Sequence, residues 1–403
     1  MSAFVAGIIF LNCGFTAKLP KDVYINGIDV GGKTRESAVF TVRKSIEDNL
    51  KDKNLKITGN KKTYSFTYPE IGYKDNLRCL VKSVKKGGRY SADVKYYLNG
   101  ISDITSAIVQ SCSYSPQEPY AQFNTAGNPF TYFEGYDGIK ADGNKLFEDI
   151  TYSLDNGFVP VSLKYTAVKR TQSLESVKNK TKLLSSFSTS FDGGNVSRAH
   201  NIRLASKFIN GLILKKDEVF SFNSVVGQRT AERGFKKAKI IKEGEFVEGT
   251  GGGVCQVSTT LYNAAVLSGC KILEFHPHSL AVSYVPPSRD AMVSGTYFDL
   301  KFQNTTGCDL YIRSAVSQNG ISFKIYGKPD GASYSFSSKV VGVIGAPVET
   351  TQDENEVKEG KDGLESEGYL TVIRNGITLR TLLRRDKYQP VKRIELIKEN
   401  ADN

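Results

Sequence analysis

Cysteine and histidine are scarce in this sequence. Its 403 residues hold six cysteines (Cys13, Cys79, Cys112, Cys255, Cys270 and Cys308) with no C-x-x-C pair. That excludes a dense disulfide framework and leaves room for one isolated bridge, such as Cys270 to Cys308. Only three histidines occur, and two of them, His276 and His278, share one tripeptide. No segment resembles a nucleic-acid-binding module, which argues against nucleic acid as a partner. The uncharged N-terminal stretch contains the apolar run Phe4 to Leu11. It is short against the roughly 20 apolar residues of a membrane span.

What is present is ordinary globular material. Apolar residues make up 39% and charged residues 24%, with 21 Tyr and 22 Phe that favour strands. The length predicts roughly two to three domains, with cores large enough to fold without metals or disulfides. The net charge is +12, unevenly spread: between Pro347 and Gly368 eight acids face two lysines, so that window carries −6 and the remainder +18. A positive body of this kind suits an anionic surface such as a wall polymer or membrane headgroups.

Residues 1–18 read as a signal peptide or membrane anchor, because the apolar run is followed by Lys18. Leu11-Asn12-Cys13-Gly14 adds a weak lipidation signal. The expected location is therefore the outer side of the cytoplasmic membrane or the cell wall.

Along the chain, strand-like Asp22 to Gly32 precedes a helical stretch from Thr34 to about Leu50. Leu55–Thr58 and Thr63–Tyr68 alternate around Gly59 to Lys62, a hairpin signal. A similar plan recurs, with Ala121–Phe123 and Phe130–Phe133 flanking Gly127-Asn128, then a Glu-Gly turn and a helix ending at Asn156-Gly157. This predicts a duplicated α+β module, residues 19–115 and 116–184. Asn319-Gly320 and Asn375-Gly376 each sit between strand-like segments, as two-residue hairpin turns do. The acidic stretch from 347, within 331–368, reads as a solvated linker before a small β module at 369–403.

The chemistry concentrates between 249 and 302. Gly251-Gly252-Gly253 leads into Val254-Cys255-Gln256, and Val257, Leu261, Ala264 and Ser268 recur at helical spacing with Gly269 to end the helix. Cys255 is thus expected in the first helical turn, where the helix dipole favours a thiolate and the glycines leave the sulfur open. Amides of that turn, with Gly251, Gly252, Gly253 and Gln256 around them, are candidates to hold an oxyanion. Downstream, Lys271 to His276 reads as a strand running into His278, and Tyr297 to Phe302 as another strand, with Asp299 opposite Phe298, Leu300 and Phe302.

The chain order Cys255, then His278 or His276, then Asp299 is that of papain-like thiol enzymes of the transglutaminase type. In it the Cys attacks, the His moves the proton, and the carboxylate orients the imidazole. Asp290 competes with Asp299 for the last role. H-x-H on a strand also leaves open a zinc site of His276, His278 and Cys255.

At these residues the sequence resembles the VanW family, named for an accessory protein of vancomycin-resistance clusters. The matching text is Phe220-Ser221-Phe222-Asn223, Gly227-Gln228-Arg229-Thr230, Gly251 to Ala264, His276 to Ser279, Tyr284 to Pro287, Asp290-Ala291 and Asp299 to Asn304. Asn223, Arg229 and Asp290 are polar candidates of second rank within it. The resemblance covers about 185–330 and implies a protein of a Gram-positive bacterium facing the wall. Upstream, the duplicated module looks like the peptidoglycan-binding domain that often precedes VanW. The C-terminal piece is similar to the five-glycine wall-associated domain. One departure is Ser288, where the family more often has Gly.

The sequence therefore predicts a multidomain α+β protein with a papain- or transglutaminase-like central domain. Two functional readings stand: a cysteine-dependent acyl-transfer enzyme acting on peptidoglycan peptides, and a non-catalytic protein gripping peptidoglycan or anionic wall polymer. Neither requires a cofactor or a resident metal.

Overall fold

The computed structural model describes residues 15–242, 245–295 and 297–397. The leader and Cys13 lie outside the described residues. Among those described, no helix is long and apolar enough to cross a membrane. The molecule is mixed α and β, in several small sheets, and divides into two units.

The first unit comprises residues up to Glu118 together with Gly135–Thr171. Helix Arg35–Lys51 starts where Thr34 accepts a hydrogen bond from the Ser37 N–H (3.1 Å). The hairpin Leu55–Gly59/Lys62–Phe66 forms as expected, because Asn60 and Lys61 both adopt positive φ (45° and 62°). The two stretches expected as separate repeats share structure. Strand Val161–Ser162 pairs in parallel with Leu55–Gly59, and Leu146, Ile150 and Leu154 of helix Gly143–Asp155 enter one core with Leu55, Ile57 and Ile108. Moreover, hairpin Tyr120–Phe123/Phe130–Phe133 groups with the second unit, where Phe130 packs edge-on against Tyr311 and Tyr326.

The second unit, residues 119–134 and 172 onward, carries the largest core. A four-stranded antiparallel sheet runs in the order Lys182–Ser190, Gly320–Gly327, Leu310–Val316, Leu212–Leu214. Against it lies helix Val254–Leu267, which buries nearly every residue, polar ones included. Helix Val196–Ile209 packs beside it, and a short sheet of Val219–Ser221, Lys301–Gln303 and Lys271–Glu274 completes the core.

Beyond Gly327 the chain departs from expectation. The stretch expected as a linker contains strand Ala332–Ile344, which pairs antiparallel with Gly363–Arg374, itself paired with Ile377–Tyr388. Its acids do not keep it unfolded, since Glu367 points outward to Arg385 (2.8 Å) while Ser366 beside it is buried. The Asn375-Gly376 turn forms as read, with φ 51° and 78°.

Candidate functional site

The glycine run places Cys255 at the start of the buried helix. Gly251 and Gly253 take φ 90° and 103°, a region that L side chains avoid. A Cβ on Gly252 would lie 2.6 Å from the Lys239 carbonyl oxygen. Gly253 caps the helix with no side chain of its own. Val254 and Gln256 N–H groups donate to Gly251 and Gly253 (3.1 and 3.0 Å), while the Cys255 N–H between them meets no acceptor among the described residues. That amide is free to hold a developing oxyanion beside the sulfur.

Cys255 is half-buried, its Sγ 3.4 Å from the Val293 carbonyl oxygen. The imidazole of His278 is near enough to act on the thiol. His278 in turn is held by Asp290: the Asp290 Oδ2 accepts from both the His278 backbone N–H (2.7 Å) and its Nδ1 (2.6 Å). With Nδ1 donating to a carboxylate, Nε2 is the nitrogen left for the thiol.

The electrostatics favour charge separation between Cys255 and His278. Burial pushes the Cys255 thiol up, but His278 above all, with the Arg229 guanidinium, holds it below its usual value. Burial opposes charge on His278, yet Asp290 and Cys255 raise it to about 9. Asp290, also opposed by burial, is held below the usual carboxylate range by His278, Arg384 and Tyr388. The three shifts run in the direction of thiolate, imidazolium and carboxylate.

Asp290 lies on an irregular segment that the buried helix fastens with its polar side chains. Asn263 donates to the Arg289 carbonyl (2.8 Å), and Ser258 to that of Ala291 (2.6 Å). Thr259 Oγ1 accepts from the Ala291 N–H (2.9 Å). These buried Ser, Thr and Asn groups therefore aim a carboxylate rather than fill a core. Ser288 sits at φ 59°, which accounts for glycine being favoured there; its Oγ meets Ser366 Oγ (2.6 Å) and its N–H the Tyr388 hydroxyl (2.7 Å).

The other expected site residues lie elsewhere. Asp299 does not reach the imidazole. Its carboxylate accepts from Ser221 Oγ (2.5 Å) and from the N–H groups of Asn223 (2.9 Å) and Leu300 (2.8 Å), which fastens the short helix Phe222–Val226. Of the strand expected over Tyr297 to Phe302, only its end is strand (Lys301–Gln303); Leu300 and Phe302 are buried as read, but Phe298 is exposed and Asp299 is buried. His276 turns to Glu274 (3.0 Å), its ring tilted against Phe298, and among the described residues His276, His278 and Cys255 do not gather as a metal-holding group. Gln256 spends both amide hydrogens on Thr189 Oγ1 and the Ser190 carbonyl (2.8 Å each) and accepts from Arg198 (2.7 Å), leaving none for an oxyanion. Cys270 and Cys308 are both free thiols.

Arg229 donates to Asn223 (2.6 Å) with its stem packed on Gly251, and Arg198 packs on Gly253. Neither has a carboxylate partner within salt-bridge distance among the described residues, and both add positive potential at Cys255. Sequence reasoning gave no role to Arg198, Tyr284, Arg384 or Tyr388. A burial-compatible alternation at Arg384, Asp386 and Tyr388 was the one signal available for the last two.

The family described as VanW like protein matches residues 197–326. The uncharacterized protein YoaR of Bacillus subtilis is 46% identical over 134 residues, 33% of this chain and 44% of that protein. Vancomycin B-type resistance protein VanW of Enterococcus faecalis is 30% identical over 121 residues, 29% of this chain and 44% of that protein. The chain thus spans less than half the length of these curated relatives. No solved structure matches. The stretch that matches the VanW like family, residues 197–326, is the one that holds Cys255, His278 and Asp290.

Proposed function

We propose that the VanW domain is a thiol acyl-transfer enzyme acting on peptide amides of the cell wall, in a protein exported to the wall side of the membrane. The observation that carries this reading is the Cys255–His278–Asp290 array, with Asp290 Oδ2 2.6 Å from His278 Nδ1 and the imidazole acting on the Cys255 thiol. The wall as substrate rests on the positive charge, on the resemblance of the upstream modules, and on the resistance protein named among the relatives.

In this mechanism the Cys255 thiolate attacks the amide carbonyl and a C–S bond forms. The carbonyl oxygen becomes an oxyanion, which the Cys255 N–H and the helix N-terminus stabilise. His278 gives its Nε2 proton to the leaving nitrogen, the C–N bond breaks, and an amine departs from a thioester on Cys255. A water or a second amine then attacks the thioester, losing its proton to His278, and the thiolate returns.

Purified full-length protein mixed with peptidoglycan peptides is expected to release an amine product and to carry an acyl mass on Cys255. Cys255→Ala abolishes both; unchanged peptide turnover by that variant overturns the reading. The +18 body favours a second reading, in which the protein grips anionic wall polymer without chemistry. Sacculus pelleting as the protein's sole activity, with no adduct on Cys255, would select it.

A further inference from the structure

The family match ends at residue 326, yet the last partners of Asp290 come from strand Ile377–Tyr388. That strand is exposed for most of its length and buries Arg384, Asp386 and Tyr388 at one end. The Tyr388 hydroxyl lies 2.6 Å from Asp290 Oδ1 and 2.7 Å from the Ser288 N–H. Because Ser288 can only donate, the single phenolic hydrogen goes to Asp290. Arg384 Nη1 donates to the Asp290 carbonyl oxygen (2.6 Å), and its charge lies 3.6 Å from Oδ1 while Asp386 pairs it at 2.5 and 3.0 Å. Directly after His278, the Ser279 carbonyl accepts from the Gln389 N–H (2.7 Å).

We propose that this C-terminal sheet is a working part of the thiol site, with Tyr388 a positioning residue that holds Asp290 ionised and aimed at His278. The proposal rests on the acyl-transfer reading above. Its logic is proton linkage. In the form thiolate, imidazolium, carboxylate the cluster carries one net negative charge, and the phenol donates to it. Removing that donor favours uptake of a proton, so the thiolate forms only at higher pH. On the Cys255 side the cluster is also faced by Arg198, Arg229 and Tyr284. Tyr262 and Asp386 lie behind Arg384. The substitutions below leave all of these in place.

The test is the pH dependence of Cys255 alkylation by iodoacetamide in the full chain, read by mass spectrometry. Tyr388→Phe should move the midpoint upward, so that below both midpoints the rate falls about tenfold, the size of one pKa unit, while the high-pH plateau stays. Tyr388→3-fluorotyrosine keeps the shape with a stronger donor, and should move the midpoint down. This covers the case in which the Phe variant does not fold. Ser366→Ala removes a docking contact that does not touch Asp290, and should stay within about twofold of wild type. Unshifted midpoints in the Tyr388 variants, or an equal shift in Ser366→Ala, overturn the positioning role. A wild-type midpoint near the free-thiol value of about 8.5 overturns the acyl-transfer reading itself.

Discussion

At the scale of single residues, the two aspartates separate by what fills their oxygens. Asp299 has three donors, all from its own neighbourhood, whereas Asp290 has one oxygen on an imidazole. Asp299→Asn is therefore expected to cost stability, about 1–3 kcal/mol, because an amide puts a donor where only acceptors are wanted. Thermal unfolding would show it, with Cys255 alkylation little changed. Asp290→Asn should do the reverse in the chemistry, slowing alkylation at neutral pH by an order of magnitude or more, since the imidazolium loses the charge that raises it. Equal effects of the two substitutions would contradict these assignments.

At the scale of elements, the site depends on close approaches that only glycine allows. Gly253→Ala forces a side chain into φ 103° and against the Arg198 stem, 3.0 Å away. A loss of about 1–3 kcal/mol is expected in denaturant unfolding, with slower alkylation of Cys255 as the helix start shifts. Beside the site, Glu274 joins two strands through Lys301 (2.8 Å) and also takes His276. Burial opposes its charge, but Lys301, His276 and the Asp299 N–H bring it down to about 2. Its folded value lies below the unfolded one, so its contribution is present above the unfolded value of about 4.3 and is lost as pH falls toward 2. Glu274→Gln should flatten the acid limb of stability against pH in that window; an unchanged limb would contradict the pairing.

Elements were legible in the sequence where a local signal specified them. Asn375-Gly376 lies between paired strands as a two-residue turn, whereas Asn319-Gly320 marks a hairpin whose connection is longer, with Val316 opposite Ile321 and the Ser317 N–H donating to the Gly320 carbonyl. The glycine-to-cysteine helix start was equally local. The choice between aspartates was not, because Asp290 sits on irregular chain whose position is set by Asn263, Ser258 and Thr259 from a distant helix. Composition misled at 331–368, where acids on the outer positions of strand Gly363–Arg374 resemble a solvated linker.

At the scale of the whole molecule, the matched domain covers residues 197–326, and the chain on either side has to be explained by other means. The C-terminal sheet explains itself through Asp290. The excess of positive charge predicts adhesion to anionic wall. Pelleting with purified sacculi should weaken steeply between about 0.05 and 0.5 M salt, because exposed charges are screened over shorter distances, and Cys255→Ala should leave it unaltered. Salt-independent pelleting would remove charge as its cause.

The proposed chemistry requires His278 to keep Cys255 as a thiolate poised for attack. The most direct measurement is the rate of Cys255 alkylation against pH in folded protein, with and without His278→Ala and with Cys308 as an internal comparison. The expected wild-type midpoint lies well below the free-thiol value of about 8.5 and moves up when the imidazole is removed. A Cys255 that titrates like Cys308, and is indifferent to His278, would contradict it.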